Sequence, residues 1–456
     1  MKKFGIVLLS LGLIAAFGMS AYAVTPEMTG QYYARGNYLS NPSMLDQNGG
    51  TARSSIGYYD QRLRTFFRLK IADGLTFTSR FDSMEAIWGQ NLKGSIPTSK
   101  GSDAINQQNI SWDQAWVTFK TGIGQFDVGY KSGTPYGWGT KFMNSPGTAP
   151  GVKWSNTFGN VSVLADFNRT SQGDESTNFN PQGFQSDVSN DYYDVAATYK
   201  FQGGEAGLLW TYFRQALTRT STAGSLTTNN VLQPYVKTKV GPVDVEAEAY
   251  YMSGKTASDT GNTAIDVDVK TKGLYVNAKY NMGAAYVGGR FIYASGDDPT
   301  TADQYEGGRN SAFGYGTDTD IWGEISPTIM WGYGYHGLSV AAIPTHGAAP
   351  TANDPGTKLD NAWIYGLFGG ATVAKNLDLS FKAFYMKADQ DGATGTWQSK
   401  DYGKELDVKA TYKIYDQLTY NVGFAYLWTG DWFKGTTASA DVKNIYYVSH
   451  WIDLNF

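Results

Sequence analysis

Hydrophobic and polar positions alternate with a period of two along most of the chain. Leu406, Val408, Ala410, Tyr412 and Ile414 share one parity, and Glu405, Asp407, Lys409, Thr411 and Lys413 share the other. Successive strand side chains point to opposite faces, so this segment predicts a strand with one apolar and one charged face. From Arg62 to Ile71, the set Arg62, Arg64, Phe66, Arg68 and Lys70 alternates with Leu63, Thr65, Phe67, Leu69 and Ile71. Tyr193, Val195, Ala197, Tyr199 and Phe201 alternate with Tyr192, Asp194, Ala196, Thr198 and Lys200. Val243, Val245, Ala247, Ala249 and Tyr251 alternate with Asp244, Glu246, Glu248 and Tyr250. Each set matches the roughly 9–11 residues that a tilted membrane strand needs. Helical spacing explains none of them.

Turn signals punctuate these segments. Tight turns are predicted at Asp73-Gly74, Gly122 to Gly124, Phe158-Gly159, Gln202 to Gly204, Gly241-Pro242, Asn281 to Gly283, Ala374 to Asn376 and Tyr415 to Gln417. Long polar segments lie between them, among them Trp88 to Gln108, Thr170 to Asn190, Ser253 to Thr263 and Asp297 to Asp320. Short turns alternating with long loops is the asymmetry of outer-membrane barrels. Eight turns imply sixteen strands; a first strand near Gly30 to Tyr38 and a last near Asn444 to Phe456 make eighteen. A ninth turn at Gly334 to Gly337 would make twenty. The predicted fold is therefore all-β, a transmembrane antiparallel β-barrel of about 18 strands (16–20), with short periplasmic turns and long extracellular loops.

The N-terminus supplies an address. Lys2 and Lys3 precede an apolar run from Phe4 to Met19, followed by the small-x-small site Ala21-Tyr22-Ala23. Residues 1–23 read as a cleaved secretory signal peptide, leaving 24–456 as a single outer-membrane barrel domain. Loss of the two lysines takes the formal charge from −4 to −6. No later run approaches the roughly 18 apolar residues of a spanning helix.

Composition narrows the chemistry. The 456 residues contain no Cys, 54 Gly, 32 Tyr and 17% charged residues. The absence of Cys removes thiolate catalysis, iron–sulfur clusters, disulfides and covalent c-type haem. A slightly acidic balance argues against nucleic-acid binding. The three histidines, His336, His346 and His450, lack metal-ligand spacing, and His450 falls on the lipid-facing parity. No Gly-x-Ser-x-Gly elbow occurs. Gly332-x-Gly334-x-x-Gly337 lacks the strand–turn–helix context of a dinucleotide site and reads as a turn. Asp297-Asp298 and Asp318-Thr319-Asp320 are acidic loop pairs that read as solvated rather than as calcium ligands. No enzyme activity, metal or cofactor is expected.

The last strand carries a further mark. Phe456, Leu454, Ile452, Val448 and Tyr446 share one parity, interrupted by His450, and the chain ends on the aromatic. In this the sequence resembles Gram-negative outer-membrane proteins, whose terminal strand is read by the barrel-assembly machinery. Residues 24–456 as a whole resemble the porin superfamily. Glu405-Leu406-Asp407, Tyr412, Asp416-Gln417-Leu418 and Gly430-Asp431 are similar to the end of alginate-export-type 18-stranded porins. The resemblance implies a channel whose third outer loop folds inward. That loop is Lys131 to Ala149, with Lys131, Tyr136, Trp138 and Lys141 as constriction candidates, and Asp297 to Asp360 is a second candidate plug. Porins are often trimeric and 18-stranded members vary, so a homo-oligomer stays open.

If the apolar parity faces lipid, the polar parity lines the lumen. Its cations are Arg62, Arg64, Arg68, Lys70, Arg80, Lys120, Lys200, Lys237, Lys239, Lys279, Arg290 and Lys409. Its anions are Asp82, Asp166, Asp194, Asp244, Glu246, Glu248, Glu405 and Asp407. The run Arg62, Arg64, Arg68 and Lys70 reads as an anion-attracting ladder. A two-residue turn at Gly241-Pro242 would set Lys239 opposite Asp244 and Lys237 opposite Glu246, so these charges also read as wall-stabilising pairs. The expected function is passive diffusion of small hydrophilic solutes or ions through the outer membrane. The alternatives are a selective channel for an acidic oligosaccharide and a scaffold barrel around an electron-transfer partner.

Overall fold

A computed structural model describes residues 24–41, 55–88, 110–132, 138–143, 148–172, 189–216, 225–258, 267–301, 303–308, 322, 325–332, 359–391, 399–436 and 438–456. The first strands are β1 (Thr25–Ser40), β2 (Ser55–Ala72), β3 (Leu75–Ile87), β4 (Ile110–Thr121), β5 (Gly124–Ser132) and β6 (Thr148–Phe158). They continue as β7 (Val161–Gln172), β8 (Ser189–Phe201), β9 (Gly204–Gln215), β10 (Ser225–Val240), β11 (Val243–Ser258), β12 (Val267–Met282) and β13 (Ala285–Ala294). After a two-residue strand β14 (Gln304–Tyr305) come β15 (Ala362–Ala374), β16 (Leu377–Lys387), β17 (Asp401–Tyr415), β18 (Leu418–Thr429) and β19 (Ile445–Asn455). β14 lies parallel to the outer end of β12, and β13 pairs directly with β15.

The remaining 18 strands form one antiparallel wall, and β19 returns to pair with β1 over nine residues from Gln31–Asn455 to Leu39–Tyr447. The sheet is closed. All eight predicted turns fall between consecutive strands, each as a two-residue connection. At Asp73-Gly74 the glycine takes φ +74°, a conformation that hairpin turns need and that Cβ-bearing residues resist. The position of the predicted ninth turn, Gly334 to Gly337, lies outside the described residues. So do residues 1–23.

Several strands are longer than membrane thickness alone requires: β2 has 18 residues, and β1, β10, β11 and β12 have 16 each. The expectation of 9–11 is corrected upward because antiparallel pairing continues above the apolar belt, where water solvates the outer face. β1 accordingly begins at Thr25 rather than near Gly30, and β7 and β8 extend into the predicted loop Thr170 to Asn190.

The parity assignment holds. Val408, Tyr412 and Ile414 are exposed on the outer face, while Glu405 and Asp407 are each 1% exposed within. Aromatic side chains edge the exterior, with Tyr38 stacked on Tyr446 at 5.7 Å near the outer loops and Phe456 exposed at the turn end. His450 lies on this exterior face between the hydroxyls of Tyr59 and Tyr420, each 3.4 Å from one ring nitrogen.

Phe456 also closes the seam. Its N–H donates to the Gly30 carbonyl at 3.0 Å and its carbonyl accepts from the Gly30 N–H at 2.7 Å. A Cβ at position 30 would sit 2.6 Å from both the Phe456 ring and the Arg64 carbonyl, so the seam needs glycine there. Placing Arg at Val408, midway along β17 on the lipid face, should lower the unfolding free energy by about 2–4 kcal/mol. Gln at the lumen-facing, exposed Lys70 should change it little; urea titration in lipid vesicles measures both.

Candidate functional site

The lumen is the candidate site, and two inward segments shape it. Residues 138–143 of the third outer loop cross the inner wall. Trp138 meets Tyr235 edge-on at 4.7 Å and packs with Ala196 and Leu209. Thr140 donates its N–H to Glu248 at 2.9 Å, and its hydroxyl also donates to that carboxylate. Phe142 stacks on Tyr275 at 5.7 Å. The loop is thus fixed along β8 to β12 by one charge-assisted anchor between two aromatic contacts. Its bounds differ from the expected Lys131 to Ala149, because backbone pairing continues through Ser132 and resumes at Thr148. Lys131 is therefore a wall residue of β5, 1% exposed, with its ammonium 2.6 Å from Asp166 and 2.7 Å from Asn168. Lys141 is exposed, and Tyr136 lies outside the described residues.

The second inward segment belongs to the long connection between β13 and β15. Residues Thr328–Gly332 form a single π-helical turn against the inner face of β17. Ile329 and Met330 donate their N–H groups to Glu405 at 2.6 and 3.1 Å. The Thr328 hydroxyl donates to Asp407 at 2.7 Å. Lys382 sits 3.2 Å from Asp407 and donates to the Ser326 carbonyl at 3.0 Å. Trp322 stacks on Tyr447 at 5.4 Å and occupies the space that a side chain at Gly423 would take, 2.1 Å from its ideal Cβ. Glu405 and Asp407 do face inward, but they hold this segment instead of facing an open passage.

Around both segments the inner wall is apolar at its outer end. Met252, Ile292, Ile364, Phe384, Met386, Leu427, Ile445 and Tyr447 pack with Phe142, Ile329, Met330 and Trp331 in one cluster. The short 3-10 turn Asp431–Lys434 adds Trp432 and Phe433. A uniformly polar lumen is thereby corrected: the inner wall from β10 to β19 carries a packed apolar cluster, while from β2 to β9 it stays mostly polar.

The predicted ladder divides in two. Arg62 is fully buried with its guanidinium 5.2 Å over the Tyr33 ring. Arg64 is bidentate to Asp82 at 2.7 and 2.6 Å. Arg80 pairs with Asp113 at 2.8 Å. Arg68, 59% exposed at its side chain and 3.8 Å from the similarly accessible Glu27, and Lys70 face open lumen instead. At the turn end of β10, Lys239 lies opposite Asp244 with 3.6 Å between charges. Lys237 lies opposite Glu246 but its ammonium is nearer Glu205, at 3.9 Å, across the other strand boundary. Arg290 donates to Asn277 and covers the Phe368 ring at 4.5 Å. Lys120 and Lys200 are exposed at their strand ends, and Lys279 sits 4.4 Å over Tyr286.

Sequence reasoning missed Arg35 and Asp60, a bidentate pair at 3.0 and 2.6 Å that Asn37 joins at 2.7 Å. Their signal was their inward parity on β1 and β2, but a long loop separates those strands and leaves register open until they pair. In the loop after β13, Asp297 accepts the Glu306 N–H at 2.8 Å and Asp298 accepts the Thr300 N–H at 2.9 Å. Burial, with Glu306 nearby, pushes the Asp297 carboxyl up from its ordinary range, while the Thr300 donors hold Asp298 down. These oxygens build the turn. Among the described residues no group of three or more His, Asp or Glu is arranged to hold a metal. Asp318 to Asp320, His336 and His346 lie outside them.

No protein-family model matches the chain, and no curated protein matches it. Among solved structures the chain is similar to OccAB2 of Acinetobacter baumannii, at 9% identity, TM-score 0.52, covering 94% of this chain and 98% of that one. It is also similar to OccK9 (OpdG) of Pseudomonas aeruginosa, at 12% identity, TM-score 0.51, covering 94% and 99%. At such identities the likeness is one of fold, that of Gram-negative outer-membrane porins. Closed wall, apolar exterior and fold together are those of an outer-membrane β-barrel.

Asp82→Ala would remove the bidentate partner of the buried Arg64 guanidinium, leaving Asp113 at 3.8 Å, and should cost up to about 3–5 kcal/mol by urea titration. Glu248→Ala should release the inward loop, raising hydrogen exchange at the Thr140 amide by roughly tenfold or more, since charge-assisted hydrogen bonds contribute about 1.5–3 kcal/mol.

Proposed function

We propose that the chain is an outer-membrane channel for passive diffusion of small hydrophilic solutes and ions. The observation that carries this reading is the division of the wall: lipid-facing positions are apolar, while lumen-facing positions outside the packed cluster are charged or hydrogen-bonding. Water in such a lumen stays continuous because its wall solvates it, and the inward segments limit the size of what passes. Outer-membrane lipid surrounds the barrel, and the C-terminal Phe456 is the residue offered to the assembly machinery. The reading is non-catalytic and needs no cofactor.

An acidic oligosaccharide is the second reading, favoured by the exposure of Arg68 and Lys70 on one wall. The buried arginines give it less support than their number suggests, since Asp82 and Asp113 neutralise Arg64 and Arg80 at close range. The scaffold reading loses ground to the inward segments, which occupy space a protein partner would need.

Planar-bilayer recording of the purified protein tests the channel. Discrete conductance steps are expected, and a protein that inserts without conducting ions refutes the reading. Replacing Arg68 and Lys70 together with Gln should lower the anion-to-cation permeability ratio, most at low salt where screening is weak. An unchanged ratio would make them wall residues only.

A further inference from the structure

Beneath Trp138, on the side of the periplasmic turns, lies a cavity of about 590 Å³. It spans the ends of β4 to β8, and its volume is within the roughly 300–1,000 Å³ of small-molecule sites. Its polar lining is chemically uniform. Gln125, Ser155, Thr157, Ser162 and Thr198 present neutral hydroxyl and amide groups, and among the described residues Lys120 is the one charged lining residue, with no carboxylate beside it. A second lumen cavity, about 430 Å³ beneath Trp322, contrasts sharply: Lys382, Lys409, Asp378 and Asp407 all line it.

The neutral groups keep capacity for a ligand. Thr157 and Ser162 hydroxyls are 3.1 Å apart, and the Thr198 hydroxyl is 3.3 Å from the Tyr235 hydroxyl. A hydroxyl has one donor and two acceptor sites, so one such contact leaves each able to take another partner. The Gln125 amide nitrogen reaches Asp127 at 3.3 Å, which leaves its carbonyl oxygen available. Above this floor Trp138 supplies an aromatic wall, held rigid by Tyr235, Ala196 and Leu209. A rigid ring beside fixed hydroxyls suits a molecule whose C–H faces are apolar and whose rim is all hydroxyl. A charged solute would find one ammonium and no complementary array.

We propose that this shelf under the third loop is a binding subsite for an uncharged polyhydroxylated solute, a sugar or polyol. It deepens the channel reading, on which solute access depends, by naming a class of cargo.

Saturation-transfer NMR on the full-length protein in detergent tests it, with D-glucose as the neutral probe and gluconate as its anionic counterpart. Transfer to glucose protons is expected, and gluconate should bind no more tightly. Trp138→Ala should weaken glucose binding by about tenfold, the equivalent of one good contact. Because that change also removes a loop anchor, the near-isosteric pair Thr198→Val and Gln125→Leu gives an independent variant that leaves the loop in place and should weaken binding similarly. Absence of transfer to glucose, indifference to both variants, or tighter gluconate binding that Lys120→Met abolishes would each overturn the subsite. Binding in detergent does not require conduction, so failure here and failure of the bilayer recording are separate results.

Discussion

The constraint beneath everything else is that a backbone in lipid has no water to bond. An unpaired N–H or carbonyl in hydrocarbon costs several kcal/mol, so a sheet that crosses a membrane must have no edge. Here β19 meets β1, and the reciprocal bonds between Gly30 and Phe456 finish that seam at the chain's last residue. Closure then dictates the rest. Strict alternation follows because a slip of one residue would turn Glu405 and Asp407 into the bilayer. Two-residue turns on one side follow because they keep neighbouring strands in register.

A closed wall of eighteen strands is too wide for its own side chains to fill, so the interior is a second packing problem. The chain solves it by folding loops inward and treating them as core. Carboxylates on the wall bind the backbone N–H groups of those loops: Glu248 takes Thr140, and Glu405 takes Ile329 and Met330. Each such bond also repairs a cost, because an inward loop carries polar backbone into a space lined by Phe384, Met386 and Tyr447. Elsewhere on the wall, Arg35 with Asp60 and Arg64 with Asp82 keep opposite charges paired across neighbouring strands.

The barrel itself was legible from parity and turn chemistry, because membrane strands cannot tolerate error in either. Asp73-Gly74 and Gly241-Pro242 located hairpins, and the short turns put the strand count at about 18, within 16–20. The apolar inner wall of β10 to β19 was harder to read. Its signal was present: Ala383-Phe384-Tyr385-Met386 and Tyr446-Tyr447-Val448 are apolar on both parities, as strands buried on both faces are. A rule assigning one face to lipid and the other to water hides that signal. Ladder residues Arg62 and Arg64 had the right face, but whether an inward cation meets solute or a carboxylate depends on the register of the adjacent strand, which here sets Arg64 directly opposite Asp82. Lys131 was misplaced for a related reason. Gly133-Thr134-Pro135 marks a turn well, but pairing ends only at Ser132, one residue earlier.

The inward segments cross the barrel about midway, where Trp138 meets Tyr235 and Trp322 covers Gly423, each about five residues inside a two-residue turn. The end near those turns keeps exposed lysines and a roomy, hydroxyl-lined floor. In a barrel of this shape that conducted, a potential would fall mainly over the filled stretch, and its field would act most strongly on Glu248, Glu405 and Asp407, the carboxylates that anchor the loops.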